Sequence, residues 1–230
     1  MRPLRVFVVG TDTSVGKTEA SCALLSLLAD SGLRPAAFKP YESGCHRLSH
    51  PDDASAMKAA ARSDDDLGLI CPHRFRAAVA PGVAAARLGK HPSFRATMRA
   101  YRSFAGRPLV VEGAGGLRVP LDARREVIDL VQVLGLPVLL VARAGLGTLN
   151  HTALSLEALS ARKIPVLAVL LSKSAPGPDP SYRDNVEWIQ RRHRVAVLGP
   201  VPFRAEGRRR AAFRRALAPL LALSTEAIAR

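Results

Sequence analysis

The segment GTDTSVGKT, residues 10–18, has the composition of a loop that wraps phosphate groups. In the common form of this loop, G-x-x-x-x-G-K-[ST], backbone amides bind phosphate oxygens, the lysine reaches the terminal phosphates and the hydroxyl residue binds Mg²⁺. Gly16, Lys17 and Thr18 fit this template, whereas Gly10 precedes Gly16 by six residues, so the loop is one residue longer than usual. An apolar run precedes the loop and a helical pattern follows it, which would bring the phosphates to the positive end of a helix dipole.

A second lysine, Lys39, follows the next apolar run in the sequence KPYESG. Because parallel strands end at the same edge of a sheet, we expect Lys39 to lie beside the phosphate loop. A second ammonium group there would offset the negative charge that develops during phosphoryl transfer. Pro40 prevents a helix and Gly44 permits a sharp turn, which leaves Ser43 available as a hydrogen-bond donor.

Acidic residues occur at two further places where they could bind a metal ion. Glu112 opens the sequence EGAGG after the third apolar run, and a carboxylate there is costly unless it meets a cation such as Mg²⁺ beside Thr18. The glycines that follow it let backbone amides approach a phosphate or a substrate. Asp52 and Asp53 precede another helix, where either could be an N-cap or a further magnesium ligand, and the residues leave this choice open.

Strand-length apolar runs alternate with helical patterns along the chain. We predict strands at residues 6–9, 36–38, 109–111, 138–142, 166–171 and 196–198, and helices at residues 19–30, 54–61, 94–104, 127–134, 154–162 and 182–190. This alternation predicts an α/β fold of the P-loop NTPase type, a mainly parallel sheet with helices on both faces. Residues 73–92 are expected to form a loop-rich excursion near the site. Residues 1–230 are predicted to form a single domain.

The composition argues against several other classes of protein. The longest apolar runs fall short of the roughly 20 residues that span a membrane, and the first residues lack a signal-peptide cleavage site. The three cysteines have no paired spacing, which argues against a disulfide framework or a thiolate metal site. We therefore expect a cytoplasmic enzyme that does not associate with membranes.

The formal net charge of +15 raises the question of nucleic-acid binding. Many of the basic residues are scattered arginines, and no helix-turn-helix or RNP-like pattern accompanies them. We interpret the basic stretch after residue 203 as the solvated face of a helix whose apolar face is Ala212, Phe213, Ala216 and Leu217, and we expect no nucleic-acid partner. The arginines of that face are Arg204, Arg208, Arg209, Arg210, Arg214 and Arg215.

The motifs GTDTSVGKT, KPYESG, PDDA, EGAGG and GLGTLNH together resemble the dethiobiotin synthetases, in order and separation, from about residue 6 to residue 206. This resemblance implies a homodimer that uses ATP, Mg²⁺, CO₂ or bicarbonate, and 7,8-diaminopelargonic acid. One amine of that substrate takes up CO₂ as a carbamate. The carbamate then attacks the γ-phosphate, and the second amine closes a ureido ring on the mixed anhydride.

The same resemblance implies roles for individual residues. Lys17 and Lys39 would be the catalytic lysines, and Thr18, Asp53 and Glu112 would hold magnesium. Nucleotide contacts are implied for Lys17 and the three magnesium residues Thr18, Asp53 and Glu112. They are also implied for Ser14, Val15, Gly16, Gly113, Ala114, Gly115, Lys173, Ser174, Pro202, Phe203 and Arg204. Substrate contacts are implied for Thr13, Ser43, Gly147, Thr148, Leu149 and Asn150.

The chain departs from the family pattern at Lys173, where an asparagine usually reads adenine. A lysine ammonium only donates hydrogen bonds, so we expect weak discrimination against other nucleoside triphosphates. The main alternative is a partner-regulated ATPase of the MinD or ParA type. Those proteins carry a signature lysine five residues before the P-loop lysine, where this chain has Asp12. A glutamine-dependent amidoligase would need a further domain with a nucleophilic cysteine, for which the chain is short.

Overall fold

The computed structural model describes residues 3–173, 175–177, 179–203 and 206–221. Strands and helices alternate through most of this part of the chain. The elements in chain order are β1 (Arg5–Gly10), α1 (Lys17–Asp30), β2 (Ala36–Phe38), β3 (Tyr41–Ser43), α2 (Asp52–Ala61), α3 (Leu67–Ile70), β4 (His73–Phe75), α4 (Pro81–Arg87), α5 (Phe94–Arg102), β5 (Leu109–Gly116), α6 (Val127–Leu134), β6 (Val138–Arg143), α7 (Thr148–Ala161), β7 (Val166–Ser172), α8 (Ser181–His193), β8 (Val197–Val201) and α9 (Glu206–Leu217).

Six of the strands form one sheet in the order β2-β5-β1-β6-β7-β8. Every neighbouring pair in it is parallel, and helices lie around it. The predicted α/β fold of the P-loop NTPase type is confirmed. The central strands β1, β5 and β6 are buried on both sides, which explains why they read as continuous apolar runs.

Strand β5 is longer than the sequence predicts. It continues through EGAGG to Gly116, and Val8 and Gly10 of β1 lie opposite Glu112 and Gly116. A run rich in glycine does not read as a strand, but here it lies beside the glycine end of β1. Glu112 is therefore inside a strand rather than at its end.

A second, two-stranded parallel sheet was not expected from the sequence. Strand β3 lies in KPYESG, where we predicted no strand, and it pairs with β4 at Tyr41 and His73. The region 73–92, predicted as loop-rich, contains β4 and helix α4. Both strands have three residues and contain polar side chains, so neither forms the apolar run from which the equally short β2 was predicted.

Helix α9 packs against α1 and β8. Its Phe213 and Leu217 are fully buried, whereas Arg208 and Arg215 are exposed, as the helix periodicity predicts. Arg214 forms a 2.6 Å ion pair with Asp30 of α1. The interpretation of α9 as a helix with one solvated basic face is confirmed for these residues, and Arg204 lies outside the described part of the chain.

No helix in the described residues is long and apolar enough to cross a membrane. The three cysteines, Cys22, Cys45 and Cys71, are buried and free.

Candidate active site

The phosphate loop requires glycine at two of its positions. Gly16 is the N-cap of α1 and has a φ of 104°, a left-handed conformation that favours glycine. A Cβ added to Gly10 would lie 2.7 Å from the carbonyl oxygen of Asp12 and 3.0 Å from Lys17 Nζ. The loop is thus wound tightly around the lysine side chain. Lys17 Nζ donates a hydrogen bond to the Asp12 carbonyl at 2.8 Å.

Lys17 is a buried cation at the mouth of this loop, with 7% of its surface exposed. Burial, followed by the nearby ammonium of Lys39, lowers the pKa of Lys17 to about 8, although the carboxylates of Glu112 and Asp53 act in the opposite direction. A bound phosphate group would supply the negative charge that this lysine lacks. The electrostatics therefore suit an anionic ligand.

Four side chains meet beside Lys17: three come from α1, α2 and β5, and the fourth, Lys39, directly follows β2. Lys39 Nζ lies 2.5 Å from Glu112 Oε1 and 2.9 Å from Asp53 Oδ2. The hydroxyl of Thr18 donates to Asp53 Oδ1 at 2.9 Å and to Glu112 Oε1 at 3.0 Å. Of the two aspartates, Asp53 joins this cluster, whereas Asp52 pairs with His46 at 2.9 Å.

For Lys39 and Asp53, the neighbouring charges affect the pKa more strongly than burial does. Burial alone would lower the pKa of Lys39, but the carboxylates of Glu112 and Asp53 outweigh it and raise that pKa. Burial would raise the pKa of Asp53, but Lys39 outweighs it and lowers that pKa. The Lys39 ammonium and the Asp53 carboxylate therefore hold each other in their charged forms.

The cluster has donor atoms that suit Mg²⁺. Glu112 Oε2 is buried without a hydrogen-bond partner among the described residues, and a buried carboxylate oxygen without a partner is costly. Magnesium binds oxygen ligands and commonly takes one or two protein carboxylates together with substrate phosphates. Thr18, Asp53 and Glu112 fit this requirement with two carboxylates and one hydroxyl. A metal site made of three or more His, Cys, Asp or Glu side chains does not occur in the described part of the chain.

A cavity of about 400 Å³ opens directly onto the cluster. Its lining combines the hydroxyl side chains of Thr13, Ser14 and Ser43 with the apolar residues 78–81 and Val119. Its lining also includes Gly16, Lys17, Thr18, Lys39, Tyr41, Glu42, Asp53, Glu112, Ala114 and Gly115. The structure thus brings most of the predicted phosphate, metal and substrate residues of the first half of the chain together.

Tyr41, Glu42 and the apolar residues of the cavity lining were not predicted from the sequence to belong to the site. Tyr41 and Glu42 belong to the short strand β3, which the sequence pattern did not indicate. Residues 78–81 lead into α4 inside a region that reads as a loop. The sequence AVAP, three apolar residues followed by a proline, was the one available signal for this part of the lining.

The GLGTLNH segment does not line this cavity in the single chain. Gly147 is the left-handed N-cap of α7, which begins at Thr148, six residues earlier than predicted. Thr148 is buried with its hydroxyl 3.3 Å from that of Thr152, whereas Asn150 is exposed. Leu149 is also partly exposed and lies on a different groove, between α7 and α8.

Of the residues predicted to read the base, the described ones, Lys173, Pro202 and Phe203, are also outside the cavity lining. Lys173 follows β7, and its ammonium lies 3.9 Å from the centre of the Tyr182 ring, a cation–π contact. Its backbone amide donates to the carbonyl of Val201 at 2.9 Å, which places Lys173 next to the end of β8. Pro202 and Phe203 follow that strand. Ser174 and Arg204 lie outside the described residues.

Known proteins resemble this chain over nearly its whole length. A family model described as an AAA domain matches residues 4–209. The ATP-dependent dethiobiotin synthetase BioD of Anaeromyxobacter dehalogenans (strain 2CP-C) is 45% identical over 219 residues, which cover 94% of this chain and 96% of that relative. The protein of the same name from Anaeromyxobacter sp. (strain K) is 45% identical over 208 residues, 90% of this chain and 93% of the relative. The biotin biosynthesis bifunctional protein BioCD of Bordetella avium (strain 197N) is 42% identical over 201 residues, 87% of this chain and 40% of that protein.

Proposed function

The chain belongs to the family of ATP-dependent dethiobiotin synthetases, and from that premise we propose which of its residues carry out the reaction. The protein is an ATP-dependent ligase of biotin synthesis that closes a ureido ring on 7,8-diaminopelargonic acid with CO₂. The observation that carries the residue assignment is the meeting of Lys17, Lys39, Thr18, Asp53 and Glu112 at one end of the cavity.

The two lysines are assigned to the phosphoryl transfer. Lys17 leads from the phosphate loop, and its lowered pKa favours a site that becomes complete when an anionic phosphate arrives. Lys39 is held between two carboxylates, close enough to the loop to stabilise charge on the transferred group. Thr18, Asp53 and Glu112 would hold Mg²⁺, which supplies neutralisation of the phosphate charges when bound.

The reaction needs no general base from the protein for its phosphoryl step. One amine of the substrate bonds to the carbon of CO₂ and loses a proton, which gives an anionic carbamate. A carbamate oxygen then bonds to the γ-phosphorus as the bond to ADP breaks. The second amine bonds to the carbamate carbon as the carbon–oxygen bond to the phosphoryl group breaks, and the proton that this amine loses leaves with the phosphate as the ring closes. Positioning and charge neutralisation are sufficient for the transfer, in agreement with the absence of histidine from the cavity lining of the described residues.

The cavity gives the diamine a place beside the lysines. Thr13 and Ser43 offer hydroxyl groups in its lining, and residues 78–81 with Val119 offer contacts to carbon atoms. We assign the reacting amines to the hydroxyl groups and the neighbouring carbon chain to the apolar residues. Ser14, Val15, Gly16, Gly113, Ala114 and Gly115 remain assigned to the nucleotide, and Lys173, Ser174, Pro202, Phe203 and Arg204 to its base.

We further propose a homodimer in which Gly147, Thr148, Leu149 and Asn150 reach the substrate across the interface. Leu146 of the GLGTLNH segment is 89% exposed in one chain, and Leu154, further along α7, is 58% exposed. Light scattering at assay concentration should give twice the mass of one chain. A monomer that retains full activity would contradict the proposal. A single domain, a cytoplasmic location and the lack of a nucleic-acid partner stay predictions.

A direct assay tests the function. The protein is incubated with diaminopelargonic acid, ¹³C-bicarbonate, Mg²⁺ and ATP, and labelled dethiobiotin is sought by mass spectrometry. We expect product that requires all four components and is lost in Lys17→Ala. ATP hydrolysis without dethiobiotin would instead favour the MinD or ParA class, which Asp12 at the signature position argues against.

A further inference from the structure

Helix α2 begins without a cap from its own chain segment. The first amide groups of a helix have no partner inside the helix, and a polar side chain at the N-cap usually accepts from one of them. Here the N-cap is Pro51, which has no side-chain acceptor, and no side-chain hydrogen bond caps the helix from that position. The second and third residues of this helix are Asp53 and Ala54.

A carboxylate from another element accepts both amides instead. Glu42 of β3 accepts from the backbone N–H of Asp53 through Oε1 at 2.9 Å. It accepts from the backbone N–H of Ala54 through Oε2, also at 2.9 Å. Glu42 is only 4% exposed, so these two hydrogen bonds replace most of the water that the carboxylate gives up.

The amide that Glu42 fixes belongs to a residue of the charged cluster. The carboxylate of Asp53 accepts from the Thr18 hydroxyl at 2.9 Å and pairs with Lys39 at 2.9 Å. A small rotation of the first turn of α2 would move this carboxylate away from both partners. The side chain of Glu42 thus fixes the backbone of Asp53, and the side chain of Asp53 contacts the cluster.

A cap serving only helix stability would be simpler to build locally. Serine, threonine or aspartate at the N-cap accepts from the same amides without burying a third carboxylate near Asp53 and Glu112. Capping from β3 holds the same amides and also joins the start of α2 to the strand that carries Ser43 and that begins two residues after Lys39.

We propose that Glu42 is a positioning residue for the magnesium–nucleotide site, acting through Asp53. This inference rests on the proposed role of Asp53 and adds a residue outside the set that contacts phosphate or metal. Removing the double cap should allow the Asp53 carboxylate to move. The apparent affinity for Mg²⁺ in the presence of nucleotide should then fall more than the stability of the fold does.

The test compares Glu42→Gln with Ser93→Ala. Glutamine keeps the size of the side chain but accepts at one oxygen only, so one of the two amides loses its partner. Ser93→Ala removes the cap of α5, where the serine hydroxyl accepts from the Ala96 amide at 3.2 Å, outside the cavity lining. Binding of a fluorescent ATP analogue is titrated with Mg²⁺, and Tm and kcat are measured alongside. We expect the Mg²⁺ half-saturation to rise about tenfold in Glu42→Gln and to stay unchanged in Ser93→Ala.

A second substitution separates positioning from direct chemistry. Pro51 has an extended backbone with φ −63° and ψ 139°, which suits an N-cap residue, so Pro51→Ser offers a local hydroxyl to the same amides. Combined with Glu42→Gln, it should recover much of the lost Mg²⁺ affinity. An unchanged Mg²⁺ titration in Glu42→Gln, or no recovery in the double variant despite a restored Tm, would overturn the proposal. A wild-type protein that makes no dethiobiotin would refute the proposed function. The Mg²⁺ titration measures nucleotide binding, so it would still test the role of Glu42 in that case.

Discussion

Replacing Lys39 by methionine removes the buried cation of the cluster but keeps a long apolar side chain. In the wild type, the ammonium of Lys39 lies 2.5 Å from Glu112 Oε1 and 2.9 Å from Asp53 Oδ2. The side chains of Lys39 and Glu112 are 4% and 0% exposed, whereas that of Asp53 is 38% exposed, so the contact with Glu112 dominates. Removing one partner of a buried ion pair costs about 3–5 kcal/mol. Because solvent screens Asp53, we expect the lower end of this range, about 3 kcal/mol.

Two measurements follow from Lys39→Met. A loss of about 3 kcal/mol corresponds to a Tm lower by about 6–12 °C for a chain of this size. The kcat for dethiobiotin should fall by about 10²–10³, as expected when a charge that stabilises the transition state is removed. Added Mg²⁺ and ATP should recover part of the Tm loss, because another cation then neutralises the two carboxylates.

The matched control is Lys90→Met, which changes an exposed lysine outside the cavity lining. It should leave both Tm and kcat close to the wild-type values. The catalytic assignment of Lys39 is wrong if Lys39→Met keeps kcat within about threefold of the wild type. The ion-pair reasoning is wrong if its Tm equals that of Lys90→Met.

Three further predictions concern the metal site, the base and pH. Glu112→Gln should raise the Mg²⁺ concentration needed for half-maximal activity by about tenfold or more, and an unchanged requirement would leave Glu112 with a structural role only. With Lys173 at the base position, kcat/KM for CTP, GTP and UTP should lie within about one to two decades of that for ATP, and a preference for ATP above a thousandfold would contradict this. Burial lowers the pKa of His73 below its ordinary 6.5, so the unfolded state binds a proton at higher pH than the folded state, and stability should fall as pH drops from 7 to 5. His73→Gln should weaken this dependence in chemical denaturation, while the exposed His151→Gln should not.

The sequence was most informative where local chemistry and strand order agree. The phosphate loop, Lys39 and Glu112 each stand beside an apolar run, and parallel strands bring such positions to one edge of a sheet. Their meeting could therefore be predicted without coordinates. The choice between Asp52 and Asp53 could not, because both fit a helix start and only the direction of each side chain separates them.

Glu42 was beyond sequence analysis for a different reason. Its strand has three residues, and its partners are amides of Asp53 and Ala54 in another element. Helix-cap patterns are local, and the N-cap position here holds Pro51, which gives no sign that a distant carboxylate takes its place. The apolar lining of the cavity was likewise not predicted, since residues 78–81 follow β4, and the pairing of β4 with β3 was not expected from the sequence.

The contact behind the phosphate loop has a consequence for the order of synthesis. A Cβ at Gly16 would lie 3.0 Å from the ring of Phe213, so helix α9 packs closely against the loop. A ribosome releases the loop early and α9 almost two hundred residues later, at about 5–20 residues per second. A nascent chain therefore carries the complete nucleotide motif for about 10–40 seconds without the helix that backs it. Nucleotide affinity should consequently arise late, after α9 has left the exit tunnel, so that ATP stabilises the finished fold rather than guiding its first steps.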